Sequence, residues 1–166
     1  LSILLVSLAS GVYGQIDFDE TMILAINNDA EAQNQLGLFY DHGDGGYEDD
    51  AEAAMWYQRA AEQGNTFAQY NLGVLYENGD GVPENDAEAV KWFRLSAKQG
   101  HAGSQFKLGV MYFRGYGVPQ NNIRAYIWFS VAAAQGRESA KNNRDIVNYD
   151  LTPDQRARGQ DMATRC

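Results

Sequence analysis

A period of 36 residues constrains the fold of this chain more than any other feature of its sequence. Three patterns recur in phase: a Leu-Gly pair, a Trp followed by a second aromatic residue, and a Gln-Gly pair. They stand at Leu36-Gly37, Leu72-Gly73 and Leu108-Gly109, at Trp56, Trp92 and Trp128, and at Gln63-Gly64, Gln99-Gly100 and Gln135-Gly136. Because a period of this length corresponds to one supersecondary unit, the sequence predicts a stack of similar units.

Each unit has the pattern of two helices. In the first, helix A, Ala32, Leu36 and Tyr40 are spaced by four residues and therefore share one face. Glycines at its end favour termination in the left-handed region. In the second, helix B, alanines and aromatic residues form the apolar stripe. The residues expected to cap helix B are Asp50, Asp86 and Asn122.

The glycine of each Leu-Gly pair falls inside helix A, where it costs about 1 kcal/mol relative to alanine. Its recurrence indicates that a neighbouring helix packs close to the backbone at this point. The side chain expected to occupy the space is the Trp of helix B, which is the largest residue of the unit.

The combined pattern A-x-x-x-L-G-x-x-Y-x-x-G-x-G-V-P, then A-x-x-W-[YF]-x-x-[AS]-A-x-Q-G, resembles the Sel1-like repeat, a relative of the tetratricopeptide repeat. The resemblance implies an all-α solenoid of stacked helix-turn-helix units with a right-handed superhelix. We expect repeats at 32–67, 68–103 and 104–139, an N-terminal capping helix within 15–31, and a partial fourth repeat with a C-terminal capping helix at 140–166. The first unit has Gly46-Tyr47 in place of Val-Pro, so its turn departs from the pattern.

The two ends carry capping signals. Met22, Ile23 and Ile26 are expected to cover the first unit, and Thr152-Pro153 is a strong helix start. Residues 1–14 have the short apolar run and small residues of a secretory signal peptide, with cleavage after Gly14 or Ser10. The alternative is a buried N-terminal helix. The run is too short to span a membrane, and the expected location is exported: periplasmic in a Gram-negative bacterium, or secreted.

Charge is distributed unevenly along the chain. The net charge is −9, which argues against nucleic acid as a partner. Residues 1–90 hold 17 acidic and one basic side chain, a net −16, whereas residues 91–166 hold 5 acidic and 12 basic, a net +7. Such polarity can orient a protein partner or a second copy in a salt-sensitive, head-to-tail association. The alternative is an unevenly charged solvated surface.

Candidate catalytic and metal-binding residues are few. His42 and His101 occupy different phases of the repeat, and Cys166 is the single cysteine. The acidic, Gly-rich segment 41–50 lacks the ligand pattern of an EF-hand and is expected to be a solvated turn, with a calcium site as the alternative. No base is evident for Ser96, Ser104, Ser130 or Ser139. We therefore expect no enzyme activity, no cofactor and no metal.

The resemblance implies a protein-protein interaction adaptor or scaffold that binds through the concave helix A face. Two stripes on that face change from unit to unit: Asn34, Tyr70 and Phe106, and Gln35, Asn71 and Lys107. Tyr70 and Phe106 are the expected anchors, unless both rings pack against the next helix pair. Cysteine-rich Sel1-like relatives suggest a small-ligand binder or weak β-lactam hydrolase as an alternative, but this sequence has no cysteine pairs.

Overall fold

The computed structural model describes residues 18–43 and 48–165. The expected signal peptide at 1–14, the Gly46-Tyr47 turn and Cys166 lie outside these ranges. Nine α-helices form the regular structure of the described ranges: α1 (Phe18–Ile26), α2 (Ala30–His42), α3 (Asp50–Glu62), α4 (Thr66–Asn78), α5 (Asp86–Lys98), α6 (Ala102–Arg114), α7 (Asn122–Ala134), α8 (Glu138–Tyr149) and α9 (Pro153–Ala163).

The helices stack in chain order, each packing against the next from α1 to α8. Helix A of the successive units is α2, α4, α6 and α8, and helix B is α3, α5 and α7. The predicted all-α solenoid is thus confirmed. Its core runs as a continuous series of apolar clusters between the two helices of each unit, built from the alanines, leucines and aromatic residues of the repeat.

Glycine ends helix A as predicted, and the caps of helix B differ by one residue from the prediction. Gly43, Gly79 and Gly115 have φ values of 67°, 80° and 78°, a left-handed conformation that favours glycine. The caps of α3, α5 and α7 are Asp49, Asn85 and Asn121, one residue before the positions expected. These residues are extended, so their side chains can accept hydrogen bonds from the first free N–H groups, whereas the next residue is already helical.

The aromatic residue packed against each Leu-Gly glycine is also not the one predicted. A Cβ on Gly37 would lie 2.5 Å from the Tyr57 ring, and a Cβ on Gly73 would lie 2.7 Å from the Phe93 ring. The Trp residue precedes these rings by one position, which turns it about 100° around helix B. Trp56 accordingly packs among the residues of α1 and α2.

Paired glutamines join three consecutive helices at every junction. Gln63 Nε2 donates to Gln33 Oε1 at 2.7 Å, and Gln33 Nε2 donates to the Ala25 carbonyl of the preceding helix at 3.0 Å. The same two bonds recur in the second unit through Gln99 and Gln69. Because Gln33 is only 2% exposed, these bonds satisfy a buried amide that would otherwise be costly. The recurring Gln-Gly pair therefore holds the end of each unit.

The first helix occupies the place of a helix B from an earlier unit. Its Ala25 carbonyl accepts the same glutamine bond that the carbonyl of Ala61 accepts in the next unit. This register buries Thr21 and Ala25 against α2. The prediction that Ile23 and Ile26 cover the first unit is wrong: they are 61% and 67% exposed, because they lie on the opposite side of the helix.

The last helix, α9, begins at Thr152-Pro153 as predicted. It packs against α7, a contact that the sequence did not indicate. Thr152 and Gln155 form a capping box, with Pro153 in the first turn. The helix lies on α7, where Gly159 allows the Tyr126 ring to approach within 2.8 Å of its Cβ position. On α8, the places of the Leu-Gly pair are taken by Arg144 and Asp145. The stack therefore ends in a charged surface.

Candidate protein-binding face

The helix A face is the solvent-facing side of α2, α4, α6 and α8, which lie side by side. Asn71 Nδ2 of α4 donates to Asn34 Oδ1 of α2 at 3.4 Å, and Lys107 of α6 forms an ion pair with Glu77 of α4. On α4, Phe67, Asn71 and Val74 follow the spacing i, i+4, i+7 along this face; Phe67 is exposed and the other two are half-buried.

The first predicted stripe is partly interior. Asn34 is 3% exposed and supports the Asn71 amide. Tyr70 is half-buried, and its ring centroid lies 4.7 Å from that of His101. Phe106 is half-buried, with the guanidinium of Arg137 4.7 Å from its ring centroid. Both rings thus contact the following helix pair, which is the alternative to a role as binding anchors. Each ring is still partly exposed.

The second predicted stripe lies nearer the solvent. Gln35, Asn71 and Lys107 are all half-buried. Gln35 Nε2 donates to Glu31 Oε1 at 3.4 Å. The charge of Lys107 is balanced by Glu77, and the two side chains are 29% and 20% exposed. This stripe therefore presents amide groups and a neutralised ion pair.

Sequence reasoning missed Phe67, the most exposed aromatic side chain on the first turns of the helix A face. Phe67 is 57% exposed, and its ring packs edge-on against His101 at 5.6 Å between centroids. It stands four residues before Asn71, so the i, i+4 spacing could have identified it. The equivalent residue of the next unit is Gly103, which leaves room for the Tyr70 and His101 rings.

A cavity of about 390 Å³ lies between α6 and α8 on the same face. Its walls are formed by Val110, Phe113, Arg114, Asn143 and Ile146. The cavity also went unpredicted, since Val110, Asn143 and Ile146 were not among the candidate residues. Its lining combines one aromatic and two aliphatic side chains with one guanidinium and one carboxamide. Such a mixture suits an apolar group that lies beside a carboxylate.

The cavity exists because one side-chain pair changes along the stack. At the middle junction Glu77 and Lys107 bridge the groove between neighbouring A helices. Their equivalents at the last junction are Phe113 and Asn143, which form no such bridge and line an open space. At the first junction the equivalent acid, Asp41, accepts a hydrogen bond from the Tyr57 hydroxyl at 3.0 Å. Burial, and then the charge of Asp41, raises the pKa of Tyr57, so the phenol stays a donor.

Comparison with known families identifies the repeat. The family model described as Sel1 repeat matches residues 30–65, 66–101 and 102–136. The chain belongs to the Sel1 repeat family. The three matched Sel1 units begin at the first residues of α2, α4 and α6, so each contains one helix A and one helix B. None of the curated proteins searched matches the chain significantly.

Two solved structures share the Sel1 architecture. One is described as a protective antigen present in uropathogenic Escherichia coli strains with an SLR fold; it is 40% identical, with a TM-score of 0.73 over 76% of this chain and 27% of that chain. The other is a Sel1 repeat protein from Oxalobacter formigenes, 35% identical, with a TM-score of 0.70 over 76% of this chain and 96% of that chain. This chain therefore spans about a quarter of the length of the first relative.

Within 18–43 and 48–165, no group of three or more His, Cys, Asp or Glu side chains could hold a metal ion. Across the same part of the chain, no helix combines the length and apolar character needed to cross a membrane.

The structure does bring a histidine next to a serine, which the sequence did not reveal. His101 caps α6: its Nδ1 accepts a hydrogen bond from the Ser104 N–H at 3.2 Å. The fully buried Ser104 hydroxyl donates to Ser96 Oγ at 2.8 Å, and Ser96 Oγ donates to the Thr66 carbonyl at 2.8 Å. A substrate has no access to this oxygen, and its proton is already donated. The pair therefore serves helix capping.

Replacing His101 with asparagine is expected to reduce the loss of stability at acidic pH. Burial, and secondarily the charge of Arg137, lowers the pKa of His101 below its ordinary value of 6.5. The unfolded chain therefore binds more protons, so the stabilisation from neutral His101 is complete above pH 6.5 and is lost as the pH falls through the lowered pKa. Thermal unfolding of both proteins between neutral and acidic pH measures this difference.

Asparagine is the matched replacement because Asn65 makes the same cap on α4. The His101→Asn protein should keep its neutral-pH stability and lose part of its pH dependence. Identical pH dependence in the two would show that protonation of His101 does not weaken the α6 cap.

Proposed function

We propose that this chain is an exported protein-interaction scaffold that binds another protein through the helix A face. The observation that carries this proposal is the division of each repeat into two parts. Several core positions keep the same residue in every unit, as with Leu36, Leu72 and Leu108, whereas the positions on the helix A face differ, as with Phe67 and Gly103. Membership in the Sel1 repeat family supports a scaffold role of this kind.

The exposed aromatic side chain gives this face its expected anchor. Aromatic residues dominate binding hot spots because they bury a large area at a small cost in conformational entropy. Phe67 is 57% exposed and stands on an ordered support of His101 and Tyr70. The amide of Asn71, one turn further along, can pair with a polar group of the partner.

Export is part of the same proposal and rests on the signal-like residues 1–14. N-terminal sequencing of the protein recovered from its native envelope tests this part. A mature chain that begins at Gln15 or Gly11 supports export, whereas recovery of the uncleaved chain in the cytoplasm contradicts it.

The binding test compares two variants of residues 15–166 in a pull-down from envelope extract. The face variant carries Phe67→Ser and Asn71→Ser. The control carries Leu95→Ser, which removes a side chain of similar exposure (39%) from helix B. Loss of a hot-spot aromatic costs about 2 kcal/mol or more, so capture should fall about 30-fold. The control should retain the partner.

Both variants must show the thermal midpoint of the parent protein for the comparison to count. Equal capture by the face variant and the parent would place the binding site elsewhere on the solenoid. Loss of capture by Leu95→Ser alone would place it on helix B.

A further inference from the structure

We propose that the cavity between α6 and α8 receives the exposed edge of α1 from a second copy of this chain. This goes beyond the helix A scaffold, because it gives the protein a head-to-tail association of its own. The two surfaces lie at opposite ends of the stack, since α1 packs on α2 and the cavity follows the third unit. They therefore cannot meet within one molecule.

The exposed edge of α1 has an acidic group beside apolar ones. Glu20, Ile23 and Leu24 follow the spacing i, i+3, i+4, so they share one side of the helix. Glu20 is exposed, Ile23 is 61% exposed and Leu24 is 46% exposed.

The position of α1 in the stack explains why this edge is uncovered. The helix lies in the register of a helix B, and the residue equivalent to Leu24 in the next unit is Ala60. Ala60 is 0% exposed, packed in a cluster formed by residues of both neighbouring A helices, α2 and α4. The described residues contain no helix A for α1, so Leu24 stays at the surface.

The cavity offers the complementary groups. Val110, Phe113 and Ile146 are apolar, and Arg114 stands at the edge with its guanidinium 5.9 Å from the Phe113 ring centroid. Ile146 is 57% exposed, so the apolar wall is open to solvent. The Ile23 and Leu24 side chains fit the apolar wall, and the Glu20 carboxylate pairs with Arg114.

Charge and exposure along the whole chain favour the same pairing. Residues 1–90 have a net charge of −16 and residues 91–166 a net charge of +7, so the two ends of separate copies attract each other. Large apolar side chains that are exposed also concentrate at the ends of the described chain. Six of the ten belong to the terminal helices: Ile23, Leu24, Ile26, Ile146, Tyr149 and Met162.

Joining unlike surfaces generates a head-to-tail series rather than a closed two-fold dimer. As the protein concentration rises, the oligomers should therefore grow beyond a dimer. It should also weaken with salt, because the Debye length falls from about 30 Å at 0.01 M to about 3 Å at 1 M ionic strength.

The test is sedimentation velocity of purified residues 15–166 and of charge variants at low ionic strength. Arg114→Glu and Glu20→Arg should each lower the association constant about 10-fold or more. The double variant should recover most of the loss, because the ion pair is restored with its charges exchanged. Ile146→Asp should also abolish association, as it places a charge in the apolar wall.

The matched control is Arg158→Glu, an exposed residue of α9 that gives the same change in net charge away from the cavity. Association of this variant should be within about twofold of the parent. Three results would overturn the proposal: a monomer at every ionic strength, equal weakening by Arg158→Glu and Arg114→Glu, or no recovery in the exchanged double variant. None of these changes the expected pull-down result with Phe67 and Asn71, which uses other residues.

Discussion

Replacing Gly81 with alanine should cost about 4 kcal/mol of unfolding free energy, the largest loss expected for a single methyl group among the glycines that the structure describes. Gly81 has a φ of 65°, and a Cβ there would overlap the backbone carbonyl of Asp50 and lie 2.6 Å from the Ala51 nitrogen. These are backbone atoms of the preceding unit at the start of α3, so no side-chain rotation can relieve the overlap. Urea unfolding followed by circular dichroism measures the loss.

The matched control is Gly79→Ala in the same turn. Gly79 has a φ of 80°, but its Cβ would lie 3.2 Å from the Cβ of Glu84 and meet no backbone atom of another unit. Its expected cost is therefore the conformational term alone, about 1–2 kcal/mol. The difference between the two variants isolates the contact between units. Equal losses of unfolding free energy in Gly81→Ala and Gly79→Ala would mean that the cost comes only from the positive φ of these glycines and not from the contact between units.

Replacing Gly73 with alanine is expected to destabilise the protein by about 2 kcal/mol, although helix propensity alone predicts a gain of about 1 kcal/mol. The new Cβ would lie 2.7 Å from two carbons of the Phe93 ring, which is fully buried and has no room to move. The packing term therefore outweighs the propensity term. The free energy of unfolding of the variant gives the sign directly.

A second substitution tests the cause. In a Phe93→Leu background the aromatic ring is absent, so Gly73→Ala should cost at least about 1 kcal/mol less than in the parent. A Gly73→Ala variant that is more stable than the parent would show that helix B can move away and that the glycine is not needed for close packing.

The 36-residue period was enough to predict the helix pairs, their number and the residues of the core. Leu36, Ala53, Tyr57 and Ala60 are buried, as their spacing predicts. This success has a simple reason. Which side chains share a face of one helix depends only on the helical period, and every unit repeats the same faces.

Contacts between helices were predicted less well. They depend on how each helix is rotated and shifted relative to its neighbours, which the residue spacing within one helix does not encode. Tyr57 rather than Trp56 packs against Gly37, because a rotation of one residue selects between neighbouring aromatic side chains. The burial of Asn34 likewise depends on how closely α4 approaches α2. The sequence predicted an aromatic side chain against the glycine and a position on the helix A face for Asn34, but it did not predict which ring packs there or that Asn34 is buried.

The candidate site was the least predictable part. The stripes on helix A stay a prediction from the sequence, whereas Phe67 and the cavity were recognised only in the tertiary structure. The cavity arises where Phe113 and Asn143 take the places of Glu77 and Lys107, residues on two different helices. Thus the sequence by itself determined the repeat, its helices and its core, because these depend on local periodicity. Only the tertiary structure decided which surfaces stay open, because that depends on which side chains of separate units meet.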